Sequence, residues 1–128
     1  MFYGINRKGF TLVEIMIVVA IIALLAAIAI PNFVKSRQEA RLAACVNNMR
    51  VVDAAIQQYL LKHDMGDEDY GTVTLAELVE EEYLHEAPTC PAAKGAEYEI
   101  TAEGVTCPAS GKDYHGTYKN GIHKSPAE

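Results

Sequence analysis

The sequence predicts an α+β protein in which one long N-terminal helix packs on a small C-terminal domain. Twenty consecutive uncharged residues, most of them Ile, Val, Leu or Ala, lie between Glu14 and Lys35. Apolar residues then recur at spacings of three and four as far as Leu60, which is the pattern of an amphipathic helix. Beyond Lys62, a capping box and a short alternating segment predict a short helix and a small antiparallel β-hairpin or sheet.

The uncharged run is long enough to cross a membrane. Twenty helical residues measure about 30 Å, which is the thickness of a bilayer's hydrocarbon core. Arg7 and Lys8 precede the run, where the positive-inside rule keeps basic residues in the cytoplasm. Glu14 argues against both a secretory signal peptide and a plain membrane anchor, because a carboxylate among apolar residues is costly and needs a partner.

The same helix is expected to continue beyond the uncharged run to about Lys62. Pro31 predicts a kink or a local melting of the helix rather than its end, because the helical pattern resumes after it. Cys45 lies on the apolar face of the second half, where a thiol commonly behaves as a small buried apolar group. This face is predicted to comprise Leu42, Cys45, Val46, Met49, Val52, Ile56, Tyr59 and Leu60.

An acidic stretch punctuated by glycine follows over residues 63–71. Its carboxylates suggest a calcium site, because calcium takes oxygen ligands, but their spacing does not match an EF-hand loop. A solvated loop is the alternative interpretation. The four acidic residues are Asp64, Asp67, Glu68 and Asp69.

The remaining elements of the C-terminal domain are short. Thr74 and Glu77 form a capping box that predicts a helix over 75–84. Alternation of polar and apolar residues predicts a strand over 97–100, followed by a tight turn at 103–104 and a returning strand over 105–107. The tail over 116–128 shows no periodicity and is predicted to be mobile.

The N-terminal residues resemble a known leader sequence. Lys8-Gly9-Phe10-Thr11-Leu12-Val13-Glu14, followed by an apolar helix that ends Ala29-Ile30-Pro31-Asn32-Phe33, is similar to the start of type IV pilins and type II secretion pseudopilins. The resemblance implies a pilin-like fold, cleavage by prepilin peptidase between Gly9 and Phe10, and N-methylation of Phe10. It also implies that Glu14 pairs with the Phe10 amine of a neighbouring subunit, which would set the register of assembly.

On this interpretation the chain divides into four segments. They are a leader peptide over 1–9, a transmembrane and filament-core helix over 10–34, its amphipathic continuation over 35–62, and a small extracytoplasmic domain over 63–128. The expected location is the bacterial inner membrane, crossed once, and then a periplasmic or extracellular filament.

The resemblance also implies which partners the chain has. They are prepilin peptidase, copies of itself and other pilins or pseudopilins in a helical filament, an inner-membrane assembly platform, and membrane lipid before assembly. The net charge of −6 argues against nucleic acid as a partner. No constellation of catalytic residues is apparent, so the chain is predicted not to be an enzyme. A membrane-anchored extracytoplasmic binding module that does not assemble is the alternative function, and pilus and secretion pseudopilus both stay open.

Two Cys-Pro pairs, at Cys90 and Cys107, flank the predicted hairpin. Because disulfides persist outside the cytoplasm, we expect these cysteines to form a disulfide, and closing a loop of this length contributes about 3 kcal/mol. The alternative is a metal site that uses Cys90, Cys107 and His115. That alternative lacks the paired CxxC spacing of zinc ribbons and a clear fourth ligand. No cofactor is therefore predicted, apart from the calcium alternative.

Overall fold

The computed structural model describes residues 8–126, so most of the predicted leader lies outside the described residues. The chain separates into two compact units, Met1–Gln38 and Glu39–Glu128. The helices are α1 (Leu12–Lys62) and α2 (Leu75–Glu80), with 3₁₀ helices at Asp67–Thr72 and Gly111–Asp113. The strands are β1 (Glu99–Thr101), β2 (Gly104–Thr106), β3 (Thr117–Lys119) and β4 (Ile122–Lys124). The predicted α+β class is confirmed.

The helix α1 contains 51 residues and passes through Pro31 without a break. The prediction that Pro31 does not end the helix is therefore correct, while a kink at this residue stays a prediction. Asn32, the next residue, donates a side-chain hydrogen bond to the carbonyl oxygen of Ile28, one turn earlier, at 3.3 Å.

In the second unit, α1 buries one face in the hydrophobic core. Leu42 was predicted on this face but is 40% exposed, since the buried part of the helix begins one turn later at Cys45. Val46 and Tyr59 are partly buried and pack against the core. The buried residues of α1 are Cys45, Met49, Val52, Asp53, Ala55, Ile56 and Leu60.

The short helix α2 begins as predicted and ends earlier than predicted. Thr74 accepts a hydrogen bond from the Glu77 amide, and the Glu77 carboxylate accepts one from the Thr74 amide at 2.8 Å. The helix ends at Glu80 because Glu82 adopts a left-handed conformation, with φ of 61°. The Tyr83 amide then donates to the Leu78 carbonyl at 2.9 Å, which is the Schellman termination of a helix.

The sheet is fully antiparallel, with the strands in the order β1-β2-β3-β4. The predicted hairpin corresponds to β1 and β2, in which Ile100 is paired with Val105. The prediction of a mobile tail is wrong, because residues 117–124 form the second hairpin, β3 and β4. Asn120 and Gly121 both have positive φ, at 52° and 80°, as a two-residue type I′ turn requires.

A buried carboxylate on α1 holds the turn of this second hairpin. Asp53 is 5% exposed and accepts hydrogen bonds from the backbone amides of Asn120 at 3.1 Å and Gly121 at 3.4 Å. The Tyr70 hydroxyl also donates to Asp53, at 2.6 Å. One turn along α1, the Gln57 side chain donates to the Asn120 side chain at 2.7 Å. Together these bonds connect the end of the sheet to α1.

Candidate functional site

The predicted cleavage point lies just before α1. Gly9 and Phe10 precede the helix and are exposed, with Phe10 at 84%. A side chain at Gly9 would meet nothing within 4 Å, so the folded chain itself does not require glycine at this position.

Glu14 belongs to a second capping box, which the sequence analysis missed. The Thr11 amide donates to the Glu14 carboxylate at 2.8 Å, and the Glu14 amide donates to the Thr11 hydroxyl at 3.2 Å. These bonds satisfy amide groups that have no partner within the first turn of a helix. The available signal was the spacing Thr11-Leu12-Val13-Glu14, which is the same T-x-x-E pattern that was recognised at Thr74.

The first half of α1 carries an apolar surface that the chain itself does not cover. By length and composition, α1 can cross a membrane, and its apolar window has no buried residues. An apolar surface of this extent is not stable in water and requires lipid or another protein surface. The large exposed apolar residues are Phe10, Leu12, Val13, Ile15, Met16, Ile17, Val18, Val19, Ile21, Ile22, Leu24, Leu25, Ile28, Ile30, Phe33 and Val34.

Two carboxylates of the acidic stretch after α1 make contacts within the chain. Asp67 forms an ion pair with Lys119 at 3.0 Å, and this contact lowers the pKa of the Asp67 carboxyl group. The Asp69 carboxylate accepts a hydrogen bond from the Gly66 amide at 3.2 Å. The calcium hypothesis for this stretch stays a prediction.

The three cysteines and His115 come together in the core. The Sγ atom of Cys107 lies 3.5 Å from that of Cys45 and 3.6 Å from that of Cys90. The Sγ atoms of Cys45 and Cys90 are 3.8 Å apart, and Nδ1 of His115 lies 3.8 Å from Cys107. All four residues are buried, and their ligand atoms lie within 4.8 Å of one another.

Four separate segments supply this group of side chains. Cys45 comes from α1, Cys90 from the loop before β1, Cys107 from the residue after β2, and His115 from the loop before β3. The three thiols are free in the structure, so the predicted pairing of Cys90 and Cys107 stays a prediction. Cys45 occupies a buried position, as predicted, but its neighbours are sulfur atoms as well as apolar groups.

Burial also shapes the acid–base state of the group. It raises the pKa of the Cys45 thiol and lowers the pKa of the His115 imidazole. The Tyr98 hydroxyl donates a hydrogen bond to the Cys45 sulfur at 3.4 Å, and the Asn48 side chain donates to the Tyr98 oxygen at 3.4 Å.

The N-terminal segment matches a known family model. Residues 5–30 match the prokaryotic N-terminal methylation motif. The ComG operon protein 3 homolog of Bacillus licheniformis is 36% identical over 89 residues, which cover 70% of this chain and 87% of that protein. The chain belongs to the pilin and pseudopilin family.

Other relatives represent both branches of this family. The type IV major pilin protein PilA of Myxococcus xanthus is 33% identical over 106 residues, which cover 80% of this chain and 48% of that pilin. The type II secretion system core protein G of Escherichia coli is 34% identical over 86 residues, or 67% of this chain and 54% of that protein. The chain thus spans about half the length of these two relatives. No solved structure is significantly similar to it.

The matched motif covers the residues predicted to be processed, and leaves the cysteine–histidine group outside it. The matched motif contains Gly9, Phe10 and Glu14, the residues predicted for cleavage, methylation and assembly. The cysteine–histidine group lies wholly outside the matched motif. Sequence reasoning had found three of its four members and missed Cys45, which is separated from the others by more than forty residues.

Proposed function

We propose that this chain is a structural subunit of a helical filament of the type IV pilus or type II secretion class. Prepilin peptidase cuts it after Gly9 and methylates Phe10, and the subunit then assembles through residues 10–34. One observation carries the proposal: this segment presents an apolar surface on all sides and none of it is buried by the chain. Lipid covers this surface before assembly, and neighbouring subunits cover it in the filament.

Glu14 is the residue that selects how subunits meet. Cleavage after Gly9 creates a free amine on Phe10, one helical turn before Glu14. In an apolar surrounding, an unpaired carboxylate or ammonium group is very costly, so the amine of one subunit pairs with Glu14 of its neighbour. One oxygen of Glu14 already caps the Thr11 amide, which orients the carboxylate beside the new N-terminus.

The same proposal sets the orientation in the membrane. The leader, with Arg7 and Lys8, stays on the cytoplasmic side of the inner membrane, and the second unit lies outside the cytoplasm. Assembly then proceeds from the inner-membrane platform that extracts the apolar helices.

The test is the substitution Glu14→Gln, with Glu39→Gln as the matched control. Glutamine keeps the shape and one capping oxygen of Glu14 but removes the charge, so membrane insertion and cleavage should persist while filaments are lost. Glu39 is an exposed carboxylate on the same helix, and its substitution should leave filaments intact. Intact-mass measurement on the wild type should give a chain that begins at methylated Phe10.

Two results would contradict the proposal. Normal filaments from the Glu14→Gln variant would show that the carboxylate does not direct assembly. A membrane-inserted wild-type chain that forms no filament with any pilin of its host would favour the alternative, a membrane-anchored binding module.

A further inference from the structure

We propose that Cys45, Cys90, Cys107 and His115 form a structural zinc site that replaces the disulfide predicted from the sequence. The site lies in the core of the second unit and joins α1 to three segments of the sheet region. No property of the N-terminal motif bears on it, so the proposal stands independently of filament assembly.

The spacing of the ligand atoms fits tetrahedral zinc. Zinc binds thiolate sulfur at about 2.3 Å and imidazole nitrogen at about 2.0–2.1 Å, which separates two sulfurs by about 3.8 Å and a sulfur from a nitrogen by about 3.6 Å. The sulfur atoms are 3.5, 3.6 and 3.8 Å apart. Nδ1 of His115 lies 3.8 Å from the Cys107 sulfur. The three sulfurs therefore already have the spacing of zinc ligands, and Nδ1 of His115 lies within 4.8 Å of each of them.

The ligand types select the metal and the kind of site. Three sulfurs and one imidazole form a soft donor set, which favours zinc over calcium or magnesium. Four protein ligands close the coordination sphere of zinc, as in structural sites, and leave no position for a substrate. The Tyr98 hydroxyl, which contacts the Cys45 sulfur at 3.4 Å, provides the outer hydrogen bond that thiolate ligands commonly receive.

A disulfide explains this arrangement less well. A bond between Cys90 and Cys107 needs sulfurs about 2 Å apart, and it would leave the Cys45 thiol and the His115 ring buried without a shared role. The geometry also singles out no pair, because the Cys107 sulfur is as close to Cys45 as it is to Cys90. A metal uses all four side chains at once.

The measurement is metal content and thiol state of the full chain, purified in detergent without chelator. We expect about one zinc ion per chain and three thiols that react with a thiol reagent only after the metal is removed. Cobalt(II) added to the metal-free chain should give the visible bands of a tetrahedral site and a thiolate charge-transfer band. A chain that is 2 Da lighter because of a Cys90–Cys107 disulfide, or free thiols that bind neither added zinc nor cobalt, would overturn the proposal.

Cys45→Ser separates the two explanations, because only the zinc site needs this thiol. It should weaken zinc binding by more than the roughly 10–100-fold that loss of an outer hydrogen-bond partner costs. The control is Ala44→Ser, which places the same hydroxyl at the adjacent exposed position of α1 and should bind zinc normally. Unchanged zinc affinity in the Cys45→Ser variant would contradict the four-ligand site. The cobalt spectrum of the wild type decides the question even if that variant does not fold.

Discussion

The two units of the chain differ in whether they bury their large apolar side chains. In the first, the segment from Phe10 to Val34 exposes nearly every large apolar side chain. In the second, α1 buries one face, and Met49, Val52 and Ile56 are fully enclosed. One continuous helix thus contains a segment that needs an external partner and a segment that already has an internal one.

The difference shows where each segment obtains its stability. The second half of α1 is held by the core and by polar contacts such as those of Asp53. The first half has its backbone hydrogen bonds, the capping box of Thr11 and Glu14, and the side-chain bond that Asn32 donates one turn back. None of these covers its apolar surface, so its remaining stabilisation must come from lipid or from another protein surface.

Deletion of residues 1–35 should convert the protein into a soluble, folded monomer that does not polymerise. The deletion removes the exposed apolar surface and Glu14 together, while the buried face of α1 from Cys45 onwards stays in place. Light scattering and circular dichroism of the fragment would measure its mass and folding, and electron microscopy would detect filaments.

The full chain in detergent provides the reference for this fragment. Filaments formed by the fragment would show that the first half of α1 is only an anchor. An unfolded fragment would show that the second unit depends on the first, and the comparison of the two units would then fail.

The sequence predicted the elements whose signals are long or local. The long helix, the capping box at Thr74 and the hairpin of β1 and β2 each follow from a continuous pattern. The second hairpin was missed although β3 and β4 contain three residues each, as β1 and β2 do. The Asn120-Gly121 pair was the signal that identifies such a turn.

The contacts between residues that are distant along the chain could not be predicted from the sequence. Cys45 lies on an apolar helix face, so its spacing predicts only burial, and nothing local indicates that His115 approaches the same point. Asp53 interrupts the same apolar face, and nothing near it in the sequence indicates what it contacts. Its partners are Tyr70, in the 3₁₀ helix at Asp67–Thr72, and the turn at Asn120, and both reach it only in the folded chain.

Replacement of Asp53 by Ala should destabilise the second unit by about 2–3 kcal/mol. Hydrogen bonds to a charged group are worth about 1.5–3 kcal/mol, and the substitution leaves the buried Tyr70 hydroxyl without its acceptor. Urea denaturation of the fragment over 36–128 would measure the loss. Hydrogen exchange should show the β3–β4 hairpin opening first.

Glu39→Ala is the matched control, since it removes an exposed carboxylate from the same helix. It should change the free energy of unfolding by less than about 0.5 kcal/mol. Equal effects of the two substitutions would mean that the buried carboxylate does not anchor the sheet, and that the second unit is held by apolar packing alone.

The smallest expected effect is at the start of α2. Thr74→Ala removes the hydroxyl that accepts a hydrogen bond from the Glu77 amide. It should lower the free energy of unfolding by about 1 kcal/mol at neutral pH. Hydrogen bonds from Thr74 also lower the pKa of Glu77 below its ordinary value of 4.5. At pH values above 4.5 the Glu77 carboxylate therefore stabilises the folded state. This stabilisation is lost as the pH falls through the lowered pKa of Glu77.

The difference between wild type and Thr74→Ala should accordingly shrink in acid, where Glu77 is protonated in both proteins. Ser110→Ala is the control, because Ser110 precedes a 3₁₀ helix without making a side-chain capping bond. Urea denaturation at neutral pH and in acid would measure both variants. A Thr74→Ala effect as small as that of Ser110→Ala would show that the core, rather than the capping box, fixes α2. The second unit would then depend on packing even at its surface, which would widen its contrast with the first half of α1.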